Sequence, residues 1–429
     1  MKNFRRCQLI GGCLALSASI FLISGQGFAN AADYGSEYNS EESEASEVAG
    51  SLADAVKSGK IIADLRLRYE FVDQDGFSAD AKSATLRSRL GFVTGSFEGF
   101  KALVEMEDIR PISSERYNDT LNGKVQFPVV ADPEVTELNR AILIYDGIVP
   151  DTKFWLGRQR IKLDNDRFVG NVGFRQNEQT FDGLRFTNQS IEDVTLDYTY
   201  LVNVNRIFGE DSPNGDHRMN SHLANLSYTG VDRLKVTTYA YLLDYDRVKA
   251  LSSDSYGVRL KGWYPINDDT RFLYTGEYAH QNEGNGNPTN YSDSYYLFEA
   301  GAKYKKFSAV IGYETLEGDG TVGFATPLAT GHIHNGWADQ FVNTPPDGLE
   351  DLYLKMIGWV QGVKLMAVLH NFESENTSVD LGQEYDFLVS KKFADHYTVS
   401  GKAAFYEAGD AASGIVDITK IWVTVAAEF

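Results

Sequence analysis

Lys420-Ile421-Trp422-Val423-Thr424-Val425-Ala426-Ala427-Glu428-Phe429 ends the chain, and its period is two. Ile421, Val423, Val425, Ala427 and Phe429 fall on one side; Lys420, Trp422, Thr424 and Glu428 fall on the other. Successive strand side chains point to opposite faces, so this stretch reads as a strand with one apolar and one polar face. A last strand closing on an aromatic residue is the signal by which bacterial outer-membrane proteins engage their assembly machinery, here through Phe429. A soluble β-sandwich can end the same way, so the rest of the chain has to decide.

The same period runs upstream. Ile61, Ala63, Leu65, Leu67, Tyr69 and Phe71 alternate with Asp64, Arg66, Arg68 and Glu70. Val194, Leu196, Tyr198, Tyr200, Val202 and Val204 alternate with Thr195, Asp197, Thr199, Asn203 and Asn205. Stripes of roughly ten residues with one apolar face are long enough to cross a bilayer when tilted. Stretches 153–160 and 181–187 alternate poorly. About eighteen such segments are expected, starting near residues 61, 84, 100, 137, 153, 180, 193, 219, 234, 255, 270, 294, 307, 351, 363, 384, 397 and 415. Sixteen is the alternative. Short joins, such as Val360-Gln361-Gly362 and Pro265-Ile266-Asn267-Asp268, alternate with long polar ones at 109–135, 161–179, 206–218, 281–293 and 316–350. Short periplasmic turns and long outer loops define the outer-membrane pattern. The fold class expected is therefore all-β: a transmembrane antiparallel up-and-down barrel over residues 60–429, in contact with outer-membrane lipid.

The other end agrees. Met1-Lys2-Asn3-Phe4-Arg5-Arg6 precedes an apolar run from Leu9 to Ile23 and the exit Ala29-Asn30-Ala31, the parts of a secretory signal peptide over 1–31. Cys7 and Cys13 both lie within it, so export leaves no cysteine. Residues 32–59 form an acidic leader assigned to the periplasm, with one or two helical turns near Leu52–Val56. Mean hydropathy is −0.30 and formal charge −20, yet 13% of residues are aromatic. Barrels hide their hydrophobicity because alternate residues face a polar lumen. The acidic balance argues against nucleic acid as a partner.

Several motifs resemble one family. Thr85-Leu86-Arg87-Ser88-Arg89-Leu90-Gly91-Phe92, Gly157-Arg158-Gln159-Arg160 and Leu163-Asp164-Asn165-Asp166-Arg167-Phe168-Val169-Gly170 come first. Arg175-Gln176-Asn177-Glu178-Gln179-Thr180-Phe181-Asp182, Phe324-Ala325-Thr326-Pro327-Leu328 and Asn335-Gly336-Trp337-Ala338-Asp339 follow. Together they resemble the alginate-export family of outer-membrane porins. That resemblance implies an eighteen-stranded channel in the Gram-negative outer membrane, passing an anionic, uronate-type saccharide or other small anion.

An anion path needs cations in the lumen. Arg66, Arg68, Arg87 and Arg89 share the inner face of the first hairpin, and Arg158, Arg160, Arg167, Arg175 and Arg185 gather around the third loop. Two readings stand: these guanidinium groups line the solute path, or they pair with Asp64, Glu70, Glu105, Glu107, Asp164 and Glu178 in a structural network, leaving a general porin. Loops 161–179 and 316–350 are long enough to fold inward as a constriction. Asn165, Asp166, Gln176, Asn177, Glu178, His332, Trp337 and Asp339 are its candidate residues. His332 and His334 lack metal-ligand spacing, and no catalytic nucleophile with histidine support, metal site or cofactor motif is visible. A lipase- or esterase-type barrel enzyme remains the alternative class.

Overall fold

The eighteen expected strands are present and start within four residues of the expected positions. In the computed structural model, which describes residues 48–113, 115–409 and 414–429, they form one sheet. The expected signal peptide and the acidic run of the leader lie outside the described residues. The first six strands are β1 (Lys60–Gln74), β2 (Ala81–Val93), β3 (Phe100–Pro111), β4 (Val135–Tyr145), β5 (Thr152–Gln159) and β6 (Thr180–Asn188). Next come β7 (Val194–Asn205), β8 (Asp216–Val231), β9 (Leu234–Leu243), β10 (Ser253–Pro265), β11 (Thr270–Glu283) and β12 (Ser292–Tyr304). The last are β13 (Phe307–Leu316), β14 (Leu349–Val360), β15 (Val363–Glu373), β16 (Asp380–Phe393), β17 (Tyr397–Ala408) and β18 (Ile418–Glu428).

Each strand pairs antiparallel with its chain neighbours, and β18 returns to β1, so the sheet has no edge. Closure matters because an unpaired strand edge exposes backbone donors and acceptors that a bilayer cannot satisfy. Phe429 completes the seam: its N–H donates to the Ala63 carbonyl at 2.8 Å, and Ala63 N–H donates back at 3.0 Å. At the end of the barrel that holds both strand-β1 start and strand-β18 end, the joins are short. Gln361 and Gly362, for example, make a two-residue hairpin with φ of 50° and 77°, the doubly left-handed turn that matches strand twist. The long connections are all at the opposite end.

Burial follows the two-residue period. On β1, Asp64, Arg66, Arg68 and Glu70 point inward and are almost fully buried, while Leu65, Leu67 and Tyr69 stay exposed on the outside. An outward aromatic ring marks the short-turn end, with Phe100, Tyr264, Tyr304, Phe307, Trp359 and Tyr397 all exposed there. Tyr69, Tyr256, Tyr278 and Tyr313 stand on the outside nearer the other end, with Leu, Val and Ile between. An apolar belt between two aromatic girdles is the surface a bilayer requires. Not every aromatic goes to the girdles, however. Phe168, Tyr239, Tyr241, Tyr295 and Phe324 cluster inside the barrel.

In the two stretches that alternate poorly, over β5 and β6, most side chains are half-buried whichever face they take. Gly157 sits at φ 120°, and a Cβ there would meet the Ala141 carbonyl oxygen at 2.1 Å. The β6–β7 register slips at Asp182/Gly183 because Val202 of β7 is an extra residue, and the face of β7 changes beyond it. Before β1, the helix α1 (Leu52–Lys57) docks on the β2–β3 turn: Gly95 N–H donates to the Ala55 carbonyl at 2.8 Å, and Ala55 is buried.

Candidate functional site: two loops across the lumen

The 160–179 and 317–348 connections turn into the barrel and pair with each other. Val169 bridges Leu328, Gly170 N–H donates to the Leu328 carbonyl at 2.9 Å, and Thr330 N–H donates to the Asp166 carbonyl at 3.0 Å. Their anchors lie all around the wall. Gln176 donates to the Thr85 hydroxyl of β2 at 2.9 Å and accepts from Arg66 of β1 at 2.9 Å. On the far side, Asn225 of β8 donates to the Asp164 carboxylate at 2.7 Å. Asn335 donates to Glu314 of β13 at 2.7 Å, and the Trp337 and Ala338 N–H groups donate to Asp386 and Glu384 of β16 at 3.1 and 2.6 Å. A loop tip tied to opposite walls by buried polar bonds is a fixed partition, because each broken bond leaves a desolvated group unsatisfied.

The wall arginines face inward, and the structure engages them. Arg87 pairs with Asp64, and Arg89 pairs with Glu107 while standing 3.8 Å from Asp64 and 3.6 Å from Glu178. Arg66 spends its guanidinium on loop backbone, donating to the Gly173 carbonyl at 2.8 Å and to the Arg175 carbonyl. Arg68 lies 4.4 Å from the Phe174 ring centroid. Arg158 clasps Asp182 through two bonds of 2.9 and 3.2 Å. Arg160 does the same to Glu178, one of its two bonds measuring 2.7 Å. Arg167 reaches Glu314 at 3.2 Å, and Arg175 reaches Glu70 at 3.0 Å. Arg185 belongs to a separate group, pairing with Asp197 of β7 at 2.5 Å over the Trp155 ring. Forked, charge-assisted pairs of this kind fix geometry as well as charge.

The remaining candidates sit at the junction of the loops. Asn165 borders a cavity of about 60 Å³ between Lys261 and Lys355 on one side and Glu314 and Asp351 on the other, room for a few waters. Asp166 pairs with Lys162 at 3.2 Å, and Asn177 is fully buried. Glu178 also accepts from Asn139 at 2.8 Å and Asn171 at 2.7 Å. Burial opposes its charge, but Arg160, Arg89 and Arg140 outweigh burial and hold its carboxyl well below the usual range.

His332 and Asp339 form the second hub. His332 Nδ1 lies 2.6 Å from Asp339 Oδ1, and Lys402 of β17 places its ammonium 2.5 Å from Nε2. An ammonium donor needs a bare nitrogen, so the imidazole is neutral, with its proton on Nδ1 and donated to Asp339. Burial, aided by Lys402 and Arg175, pushes the His332 pKa down to about 3. Lys420 of β18 adds a 2.7 Å bond to Asp339. Trp337 covers Lys402 at 3.7 Å from its ring centroid, with Phe174 at 4.6 Å and Trp422 at 5.2 Å. Sequence reading does not single out Lys402, Arg140, Glu384 or Asp386, and it places Lys420 only on the polar face of the last strand. The signal for Lys402, Lys420, Glu384 and Asp386 is a polar residue on the inward period of its strand, whereas Arg140 falls off that period.

The family comparison decides the class. The alginate export family matches residues 60–310, more than half of the chain. The protein belongs to the alginate export family. Among curated proteins none matches it. Solved structures share the fold at low identity. OccAB4 of Acinetobacter baumannii is 14% identical with a TM-score of 0.69, over 86% of this chain and 98% of that one. OccAB1 of the same organism is 12% identical with a TM-score of 0.68, over 90% and 99%. OccK11 (OpdR) of Pseudomonas aeruginosa is 14% identical with a TM-score of 0.66, over 87% and 96%. This alginate export family member therefore carries its loops on a barrel architecture common to Acinetobacter and Pseudomonas proteins.

Proposed function

We propose that the protein is a passive outer-membrane channel for hydrophilic solutes, preferring anions of the uronate-saccharide type, and acts without catalysis. The observation that carries the channel reading is a closed eighteen-strand barrel with a lipid-compatible exterior, whose lumen is narrowed by two loops fastened to opposite walls. Ion selection in such a pore follows the charges at and near the narrowing rather than the net charge of the chain. Whole-chain charge is −20, but exposed loop charges are screened beyond about 8 Å at physiological salt. At the narrowing, arginine and carboxylate are closely matched, which supports only a modest preference.

A second reading has its own support. Since Arg87, Arg89, Arg158 and Arg160 are each bound to a carboxylate, a general channel without charge preference accounts for them equally well. The reversal potential of the purified protein in a planar bilayer, under a potassium chloride gradient at pH 7, separates the two. An anion-directed potential supports the anionic reading, and zero or cation-directed potential leaves only the general channel. A bilayer that shows no conductance over many insertions removes the channel reading itself.

A further inference from the structure

The short-turn end of the lumen sets like charges face to face. Lys235 of β9 stands directly opposite Lys261 of β10, and Arg271 of β11 stands directly opposite Lys303 of β12. All four lie on the inward face, in period with the buried Tyr239, Arg259, Glu277 and Leu297 of the same strands. Cations opposed across one strand spacing repel, so the arrangement calls for an anion between them. Trp263 completes the surface, its ring centroid 4.1 Å from Arg271 and 5.1 Å from Arg233.

The carboxylates of this sector do not balance it. Asp164 lies 3.6 Å from Lys235, Asp232 3.3 Å from Arg233 and Glu299 3.7 Å from Lys355. Asp269 pairs with Lys305 at 3.4 Å, and Asp268 and Lys306 stand on the same two turns. Deeper in, Arg259 and Glu277 neutralise each other. Beyond that pair, five carboxylates meet eight cations. Among the described residues neither Arg271 nor Lys303 has a carboxylate within ion-pair distance.

The chain carries its own polyanion to this end of the barrel. Residues 32–47 of the leader hold Asp33, Glu37, Glu41, Glu42, Glu44 and Glu47, and no Lys or Arg. They lead into Val48, which bridges Ser96 of the β2–β3 turn, where Ala49 N–H donates to the Ser96 carbonyl at 2.8 Å. That anchor lies half way round the strand order from β11 and β12. A segment of this length extends to about 50 Å, and a barrel of this strand number is about 35 Å across, so the leader can reach. We infer that residues 33–47 dock on the β9–β12 sector of the lumen, their carboxylates set between Lys235 and Lys261 and between Arg271 and Lys303. The inference rests on the channel reading above and deepens it, since the docked segment partly occludes the same lumen. Exposed ion pairs are weak singly, but a tether supplies an effective concentration on the order of millimolar and lets several act together.

The test joins cross-linking to conductance in the full barrel. With 1–31 expected to be removed, the exported chain has no cysteine of its own. Glu42→Cys with Lys303→Cys is expected to form an intramolecular disulfide under mild oxidation. Glu42→Cys with Lys153→Cys, on β5 nearer the anchor, is expected to form at least threefold less. In planar bilayers at 0.1 M KCl (about one Debye length of 10 Å), deletion of 33–47 is expected to cut brief closures at least fivefold. The free peptide 33–47, added on the short-turn side, should restore them, and the same peptide with Gln and Asn in place of Glu and Asp should not. Arg271→Gln/Lys303→Gln should weaken the peptide's block at least threefold; if that variant gives no heat-modifiable band, the deletion and peptide arms still decide. Equal cross-linking at both positions, closures unchanged by the deletion, or equal block by the neutral peptide overturns the docking. Wild type that conducts while Lys303→Cys captures no leader sinks this inference and leaves the channel. A selective disulfide in a protein that never conducts keeps the docking and sinks the channel.

Discussion

Arg140 shows how the charge inside this barrel is held. Its guanidinium donates to both oxygens of Glu105 at 2.9 and 2.7 Å, and both side chains are fully buried. Removing one partner of such a pair strands a buried charge, while removing both loses little beyond packing. Arg140→Met should therefore cost about 3–5 kcal/mol in urea unfolding from detergent micelles, and Arg140→Met/Glu105→Leu clearly less. Equal losses in the single and double variants would show that the two groups are not coupled. The pair was hidden in the sequence because the β3–β4 register shifts at Glu105/Met106, placing Asn139 and Arg140 both on the lumen side and breaking the period. By contrast, the inward face of the first hairpin was legible from alternation alone. The carboxylates expected as partners, among them Asp64, Glu107, Glu178 and Glu70, are those the structure pairs with Arg87, Arg89, Arg160 and Arg175, whereas the use of Arg66 on loop backbone some 110 residues away had no signal in alternation.

His332 makes the docking of its loop pH-dependent, with a definite sign. Its folded pKa is depressed from near 6.5 to about 3, so the undocked loop binds the extra proton between those values. Docking is at full strength above about pH 6.5 and weakens as pH falls through that window. At pH 5 the loss is about 2 kcal/mol. Asp339, whose carboxyl is held low by His332, Lys420 and Arg175 against the effect of burial, loses its contribution only at still lower pH. Single-channel recordings should thus show more frequent open events at pH 5 than at pH 7. His332→Gln should flatten that dependence, and a pH response that survives the substitution would place the titrating group elsewhere.

At the scale of elements, the strands were readable and the folded loops were not. Each strand carries its own period, so starts fell within four residues. At β5 and β6 the pattern failed because most of their side chains are half-buried on either face, and the register slip between β6 and β7 places its extra residue, Val202, on β7. Loop length signalled an inward fold, yet the mutual bridge of Val169 with Leu328 has no sequence period to announce it. The seam between β1 and β18 supplies a prediction of its own. Removing Phe429 deletes both backbone bonds to Ala63 and the ring contacts with His396 and Tyr397, at 5.2 and 5.9 Å between centroids. The truncated protein should give markedly less heat-modifiable barrel in the membrane fraction and more unassembled chain. Full yield without Phe429 would mean that the seam tolerates an open end.

The whole molecule is a closed wall of paired charges with two loops tied across it, and its permeability is set by those ties. The 317–348 loop contributes His332, Asn335, Trp337, Ala338 and Asp339 to the partition, so most of the junction depends on it. The barrel does not: its strands pair around the full circle without help from the loop. Replacing residues 321–346 with a short Gly-Ser linker and recording single-channel conductance in a planar bilayer tests this account most directly. A severalfold rise in conductance is expected, with the barrel still migrating as a folded, heat-modifiable species. Conductance unchanged from the full-length protein in a folded variant would place the loop outside the solute path and contradict the account.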